Sequence, residues 1–419
     1  MLRQRRWNRS ILSAALHTSI GRVVACEIFA VAVLVAAGQI ALGQGVQSAL
    51  EINLASPAGV ASPPSIGGRE IGCSAAQNWR IAQVLRARGR TLVRLYASEG
   101  ECARAAAQTL SNFLNLQAAQ QEDVGAAAGM RAYYSRIAIA KQLQILDDSF
   151  ELIDLEEKKQ QALMEKGLAA GTDLSSFARQ RIDLQDQRLQ LQSQDLQLRS
   201  LLAQLTGFDY ACADVHQEPL EVRIQPLDCI GLQQAAMQQR QDLRGWKLLA
   251  GCISVESAPE FAKMLPTLVG GWSLPVPSLV SLKQLLCKED YSCLAADMKR
   301  ELDLTVQMQS EWICQAVDEK CRKLELGYAR IDLARQTSAN WIERIAQLEK
   351  LAESGNGKPE LLASAKADLL KARSQEVARR LDARLAEIDL AEAVGCLASR
   401  CCHGQAWLPL PSGTPVANR

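Results

Sequence analysis

Residues 174–206 read LSSFARQRIDLQDQRLQLQSQDLQLRSLLAQLT. Phe177, Leu184, Leu191, Leu198 and Leu205 recur every seven residues, and so do Ile182, Leu189, Leu196 and Ala203. Ile182 and Leu184 are two positions apart, which at about 100° per residue places the two series roughly 200° apart on one helix. An ordinary amphipathic helix has a single apolar stripe. Two opposed stripes require neighbours on both sides. Gln185, Asp186, Gln187, Gln190, Gln192, Gln194 and Asp195 fill the positions between and need water. Such a helix fits a wall one helix thick better than a thick bundle. Assembly is expected through the second stripe, so Leu191→Asp or Leu198→Asp is expected to bury an unpaired charge there.

Helix extends outward from this segment in both directions. Residues 65–218 contain no proline, a run of 154, and 278–358 none, a run of 81. Proline inside a helix costs ~3 kcal/mol, so these absences fit long helices. The prolines collect at 57–64, 219–226, 259–277, 359 and 409–415 and mark breaks. The helical pattern also repeats. Glu165-Lys166-Gly167 leads into a stretch ending at Gly207, and Glu353-Ser354-Gly355 into one ending at Gly395, with an offset of 188 residues. At that offset Leu174 matches Leu362, Ile182 matches Leu370, Leu189 matches Val377 and Ala203 matches Ala391. Each unit reads helix, glycine turn, helix, glycine stop, the pattern of a duplicated helical hairpin.

On these residues the chain resembles the TolC-like outer-membrane efflux proteins. Gly167-Leu168-Ala169-Ala170-Gly171-Thr172-Asp173-Leu174 resembles that family's Gly-Leu-x-x-x-x-Asp-Leu helix turn. Arg240-Gln241-Asp242-Leu243 resembles its Arg-Pro-Asp-Leu, with Gln241 in place of proline. Leu201–Gly207 resembles the Leu-rich, Gly-ended close of the first repeat, and Leu265-Pro266 a Leu-Pro that often precedes a strand. The resemblance covers roughly residues 75–396. It implies a trimer whose long helices form a periplasmic tube, hairpins that form an outer-membrane barrel, and helix turns that meet a periplasmic adaptor served by an inner-membrane transporter. Gly167, Leu168, Gly171, Thr172 and Asp173 would form the adaptor-facing turn. Gly355, Asn356 and Gly357 would form the second, which lacks the first turn's leucine and aspartate.

The departures are specific. A membrane strand needs ~9–11 alternating residues. None is found around 120–131, where Gln120-Gln121-Glu122-Asp123 is followed by Val124-Gly125 and three alanines. The second repeat, 231–395, exceeds the first, 74–207, by 31 residues. The excess falls at about 257–290, where Pro266, Pro275 and Pro277 interrupt any long strand. That insert reads as one vestigial hairpin or an apolar docking loop. The arm from about 131 to 166 would rise ~54 Å, short for a tube of that family.

The N-terminus carries Arg3, Arg5, Arg6, Arg9 and Arg22, followed by an apolar run from Val23 to Leu42 and the small-residue step Ala41–Gln44. This is the order of a cleaved secretory signal over 1–43. An uncleaved anchor, and lipidation at Cys26, are the alternatives, and all three export the chain. Overall charge is +1, and without residues 1–43 the chain has 42 basic and 45 acidic residues, which gives no bulk case for nucleic acid. Thirteen cysteines fit an oxidising compartment. Cys212 with Cys229, and Cys287 with Cys293, could close short disulfide loops. Cys314 and Cys321 stand too far apart on a helix to bond. Cys396, Cys401, Cys402 and His403 lack zinc spacing, so no metal is expected.

No Gly-x-Gly-x-x-Gly, Walker or Gly-x-Ser-x-Gly motif occurs, so neither an enzyme nor a cofactor is expected. Tyr133, Tyr134 and Trp341 read as packing anchors. The sequence therefore predicts a mainly all-α chain of tandemly duplicated, coiled-coil-like helical hairpins with at most a vestigial β-hairpin. Its expected order is a flexible lead-in (44–73), first repeat (74–208), linker (209–230), second repeat (231–396) and irregular tail (397–419). Two functions fit: a passive conduit subunit of an efflux or export system in the outer membrane or periplasm, or an exported coiled-coil scaffold that has lost transport.

Overall fold

The structure is a computed structural model that describes residues 67–166, 175–207, 220–222, 224–269, 291–354 and 357–403. All of these lie in one compact unit, 64–419. Among the described residues ten helices form and no strand. The first repeat contains α1 (Gly68–Gln77), α2 (Arg80–Leu95), α3 (Glu101–Glu165) and α4 (Ser175–Thr206). The second contains α5 (Cys229–Gln239), α6 (Gln241–Cys252), α7 (Ala258–Val269), α8 (Tyr291–Glu353) and α9 (Pro359–Val394), and α10 (Leu397–Cys402) follows. Two short helices, a long one and a returning one thus occur twice, with α7 as the one addition.

The helix ends follow from local chemistry. Asp228 caps α5 by accepting the Gly231 N–H at 2.9 Å, and Pro359 occupies the first turn of α9, where its missing N–H is not needed. Gly207 closes α4 at φ 75° and Gly395 closes α9 at φ 81°, the left-handed region that glycine enters without a Cβ penalty. Their amides donate to Ala203 O at 2.9 Å and Ala391 O at 3.2 Å, the same pair of alanines that the sequence repeat aligns.

The long helices lie in the order α4, α3, α9, α8, each packed chiefly on its neighbour. Ion pairs fix the register of α3 on α4: Arg181 with Asp154 (2.5 Å) and Glu157 (2.7 Å), Arg188 with Asp147 (3.1 Å), and Arg136 with Asp195 (2.8 Å). Arg131 bridges α3 to Asp389 (2.8 Å) and Glu392 of α9. On the far side Ser338 of α8 donates to Glu376 at 3.1 Å, and Lys366 pairs with Glu349 at 3.2 Å.

Two cores serve this arrangement. The main one joins Met130, Tyr133, Tyr134 and Ile137 of α3 to Leu202, Val317, Cys321, Leu324, Ile388 and Leu390. The expected anchors Tyr133 and Tyr134 are fully enclosed there, edge to face with centroids 5.0 Å apart. α1 lies so close on α3 that a Cβ on Gly129 would stand 2.7 Å from Ala75 Cβ. The Gly-Ala-Ala-Ala-Gly run 125–129 is therefore a helix-packing seam. The second core joins α2, the start of α3, α6, α7 and the start of α8 through Leu85, Phe113, Trp246, Phe261, Met264 and Met298.

Several boundaries differ from the sequence reading. α3 starts at Glu101 rather than near 131 and is 65 residues long, ~98 Å. The first unit reverses direction at Tyr96–Gly100, between α2 and α3, instead of at 120–131. The insert begins as helix α7, because Ala258, Phe261 and Met264 pack one face into the second core; its remainder, 270–290, lies outside the described residues. The lead-in gives way to α1 at Gly68, and the tail opens with α10. Both changes follow from a disulfide between Cys73 of α1 and Cys402 of α10, with Cα atoms 5.1 Å apart. Cys229 bonds to Cys321 of α8, Cα–Cα 6.1 Å, and not to Cys212. Cys229 opens α5, which packs along α8, so its partner comes from that helix. Cys212 and Cys287 lie outside the described residues, as does the whole of 1–66.

Candidate functional site

The adaptor-facing residues read from the sequence, Gly167, Leu168, Gly171, Thr172 and Asp173, lie outside the described residues, as do Gly355 and Asn356. Their flanks are described. α3 ends at Glu165, capped by Lys166, whose amide donates to Ala162 O at 3.3 Å, and α4 begins at Ser175. Gly357 sits just before α9, where a Cβ would stand 2.4 Å from Ala352 Cα. The backbone there passes too close for any other residue, a constraint that the turn's lack of Leu and Asp hid.

The second feature is the pair of outer helices. On α4 the two heptad series part company. Leu184, Leu191 and Leu198 face inward and are partly buried, with Leu198 against the main core. Ile182, Leu189 and Leu196 are 68%, 55% and 65% exposed. The exposed stripe is therefore Ile182–Leu189–Leu196, and the expectation that Leu191 and Leu198 make the assembly contact is corrected. The physical reason is the ion-pair ladder with α3, which turns the Leu191 series toward that helix.

The other outer helix, α8, carries a matching stripe that the sequence reading missed. Leu326 and Leu333 are seven residues apart and exposed; Trp312, two heptads before Leu326, is exposed as well, but Glu319 stands between them and the Arg240 guanidinium lies over the Trp312 ring, 5.9 Å from its centroid. The sequence signal was a single apolar heptad step in the proline-free run 278–358. Three contacts place the stripes at one height: Asp195 meets Arg136, Arg131 meets Asp389 five residues up α3, and Ala383 meets Gly327. Leu196 thus lies level with Gly327, between Leu326 and Leu333.

Between α4 and α9, over α3, runs a groove of about 550 Å³ lined by Gln142, Ile145 and Leu146 of α3 and by Gln187, Leu191 and Gln194 of α4. At the other end of the layer the motif Arg240-Gln241-Asp242-Leu243 forms a latch. Arg240 breaks the chain between α5 and α6, donates to both Asp242 oxygens at 3.0 and 2.5 Å, and gives Nη1–H to Ala393 O at 3.1 Å. The Leu243 amide donates to Asp242 Oδ1 at 2.8 Å. The motif's work is to hold the end of the second repeat.

Beside the latch Asp123 is buried and accepts the Ala398 amide at 2.8 Å at the start of α10. Burial raises its carboxyl to about 7; the Ala398 bond and Arg240 oppose this, while Glu392 and Glu122 add to it. The cysteine cluster nearby is not assembled around one point. Cys402 is in the disulfide, and the Cys401 thiol is buried with Sγ 3.7 Å from Met130 Sδ. No group of metal-ligating side chains forms among the described residues.

The sequence matches no family model and no curated protein. Its fold is shared with solved outer-membrane proteins. The Campylobacter jejuni CmeC outer membrane channel superposes with a TM-score of 0.59 at 10% identity, over 82% of this chain and 93% of that one. The open state of the Neisseria gonorrhoeae MtrE outer membrane channel gives 0.56 at 12%, over 78% and 88%. The Vibrio cholerae outer membrane protein VceC gives 0.57 at 12%, over 78% and 96%.

Proposed function

We propose that this chain, whose fold is that of the TolC-like outer-membrane channels, is a conduit subunit of an efflux or export system. The observation that carries the reading is the pair of exposed, heptad-spaced apolar rows on the two outer helices, Ile182–Leu189–Leu196 on α4 and Leu326–Leu333 on α8. Exposed large apolar side chains grouped on one helix face mark an interface. α4 runs antiparallel to α3, and α8 antiparallel to α9, so placing α8 of one copy beside α4 of the next continues the alternation. Leu196 then lies level with Leu326, with Leu333 two turns further along α8, and the layer closes on itself, by resemblance from three copies. Solutes would pass through the enclosed space passively, with energy from an inner-membrane transporter. The two disulfides support an oxidising, exported location.

The turn at 167–173 would meet the periplasmic adaptor, with Leu168 as an apolar knob and the groove beside α4 receiving the partner's helices. Leu168→Asp with Gly167→Val is expected to abolish adaptor copurification and export while helicity and oligomer persist. Gly355→Val is expected to do less. A second reading, an exported scaffold without transport, is favoured by one observation: no strand forms among the described residues. A deletion strain with unchanged sensitivity to a broad toxicant panel and unchanged secreted products would replace the first reading with this one.

A further inference from the structure

α2 has the sequence RIAQVLRARGRTLVRL, with five arginines and no acidic residue in sixteen positions. Its inner face is fixed: Ala82, Leu85 and Leu92 sit in the second core, and Gly89 lies against Ser111, where a Cβ would stand 2.9 Å from the hydroxyl. Arg86 is neutralised by Glu122 of α3. Arg80, Arg90 and Arg94 are exposed and pair with no carboxylate among the described residues. At about 100° per residue these three fall within roughly 80° of one another around the helix. Val84 and Leu95, 42% and 67% exposed, lie along the adjoining strip. Glu99 and Glu101 follow only beyond the helix, past the turn.

We propose that the solvent face of α2 is a docking surface for anionic lipid headgroups. Guanidinium groups bind phosphate by paired N–H donors, and an apolar strip beside them suits the boundary between headgroup and acyl chain. The charge is local, since the whole chain is nearly neutral, and so it selects a patch rather than the protein at large. A convex helix face without aromatic stackers does not read nucleobases, and an acidic partner helix would want a groove, which this face lacks. The helix is already folded onto its core, so docking requires no ordering of the backbone. No helix among the described residues is long and apolar enough to cross a membrane, and α2 offers contact with one without insertion.

The purified protein, in the form the cell exports, should be titrated with phosphatidylcholine vesicles containing or lacking phosphatidylglycerol. Binding is expected only with the anionic lipid, weakening as salt rises. The triple change Arg80→Gln, Arg90→Gln, Arg94→Gln should lower the partition coefficient roughly 100-fold, since each arginine near an anionic surface contributes about 1 kcal/mol. Its circular dichroism and melting should match the wild type. Leu95→Asn should weaken binding by a smaller factor at every salt concentration. Equal binding to neutral vesicles, or an unchanged partition for the triple variant, would overturn the proposal. So would binding to soluble polyglutamate or polyphosphate with none to anionic vesicles, which would assign the patch to an acidic macromolecule. Vesicle binding by an assembly-defective variant such as Leu196→Asp separates this proposal from the conduit reading.

Discussion

The Arg136 guanidinium donates Nε–H to Oδ1 of Asp195 at 2.8 Å, and this bond sets the face that α4 turns outward. Asp195 sits one residue before Leu196, so anchoring it inward on α3 leaves Leu196 exposed. Leu196→Asp is therefore expected to abolish the oligomer while leaving far-ultraviolet circular dichroism intact, as is Leu333→Asp on the opposite outer helix. Leu198→Asp should instead unfold the region, since a charge against the main core costs several kcal/mol. Analytical ultracentrifugation with dichroism on the three variants checks this. Loss of helicity in Leu196→Asp would place that residue in the fold and not at an interface.

The bond between Cys73 and Cys402 joins the first and last described helices across 329 residues. Closing so long a loop restricts the unfolded chain, an effect of about 6 kcal/mol in the chain-entropy model and commonly less in practice. Cys73→Ser with Cys402→Ser is expected to lower the urea midpoint and free α10 from α1. Hydrogen exchange should report faster exchange at 397–402 while α3 and α8 keep their protection.

Gly207 and Gly395 are equivalent by sequence and by φ, and their surroundings differ. A Cβ on Gly207 would meet only Asn78 Nδ2 at 3.6 Å, whereas one on Gly395 would stand 2.5 Å from Arg240 Cγ and 3.1 Å from its Cα. Both alanine variants bear the left-handed penalty of about 1 kcal/mol. Gly395→Ala should cost more, because the Arg240 latch must also shift. Denaturant unfolding of the two variants gives the comparison, and equal losses would contradict it.

The duplicated hairpins were legible because helix periodicity, proline-free runs and the 188-residue offset are properties of contiguous sequence. The Ala203–Gly207 and Ala391–Gly395 closures were visible in the same way. The disulfide partners were not, because Cys73 and Cys229 meet residues 329 and 92 positions away, and only the packing of α1 on α10 and α5 on α8 brings them together. Which stripe of α4 faces outward was equally hidden. The heptads of Leu191 and Leu189 are alike in sequence, and the choice is made by Arg136, Arg181 and Arg188 reaching carboxylates on α3 and α4. α7 escaped because Pro259 and Pro266 belong to the proline cluster 259–277 that reads as a break, although Pro259 falls in the helix's first turn, where proline is tolerated.

Asp123 is held near 7 in the fold against 3.8 as its ordinary value. Between those limits the folded chain binds a proton that the unfolded chain does not, so this group's contribution to stability grows as pH falls from about 7 to about 4. Asp123→Asn, which keeps an acceptor for the Ala398 amide, should raise the stability above pH 7 and flatten this part of the pH dependence. Thermal melts of both proteins across pH 4 to 8 check it. A variant that melts lower than wild type at pH 8 would show the carboxylate to be stabilising.

If the exposed apolar rows of α4 and α8 close a ring between copies, electron microscopy of the purified protein will show it. Rings of three copies are expected, with an open centre and walls one helix thick, in which Leu196 of one copy faces Leu326 of the next. A uniform population of compact monomers at micromolar concentration, with both stripes in solvent, would contradict it.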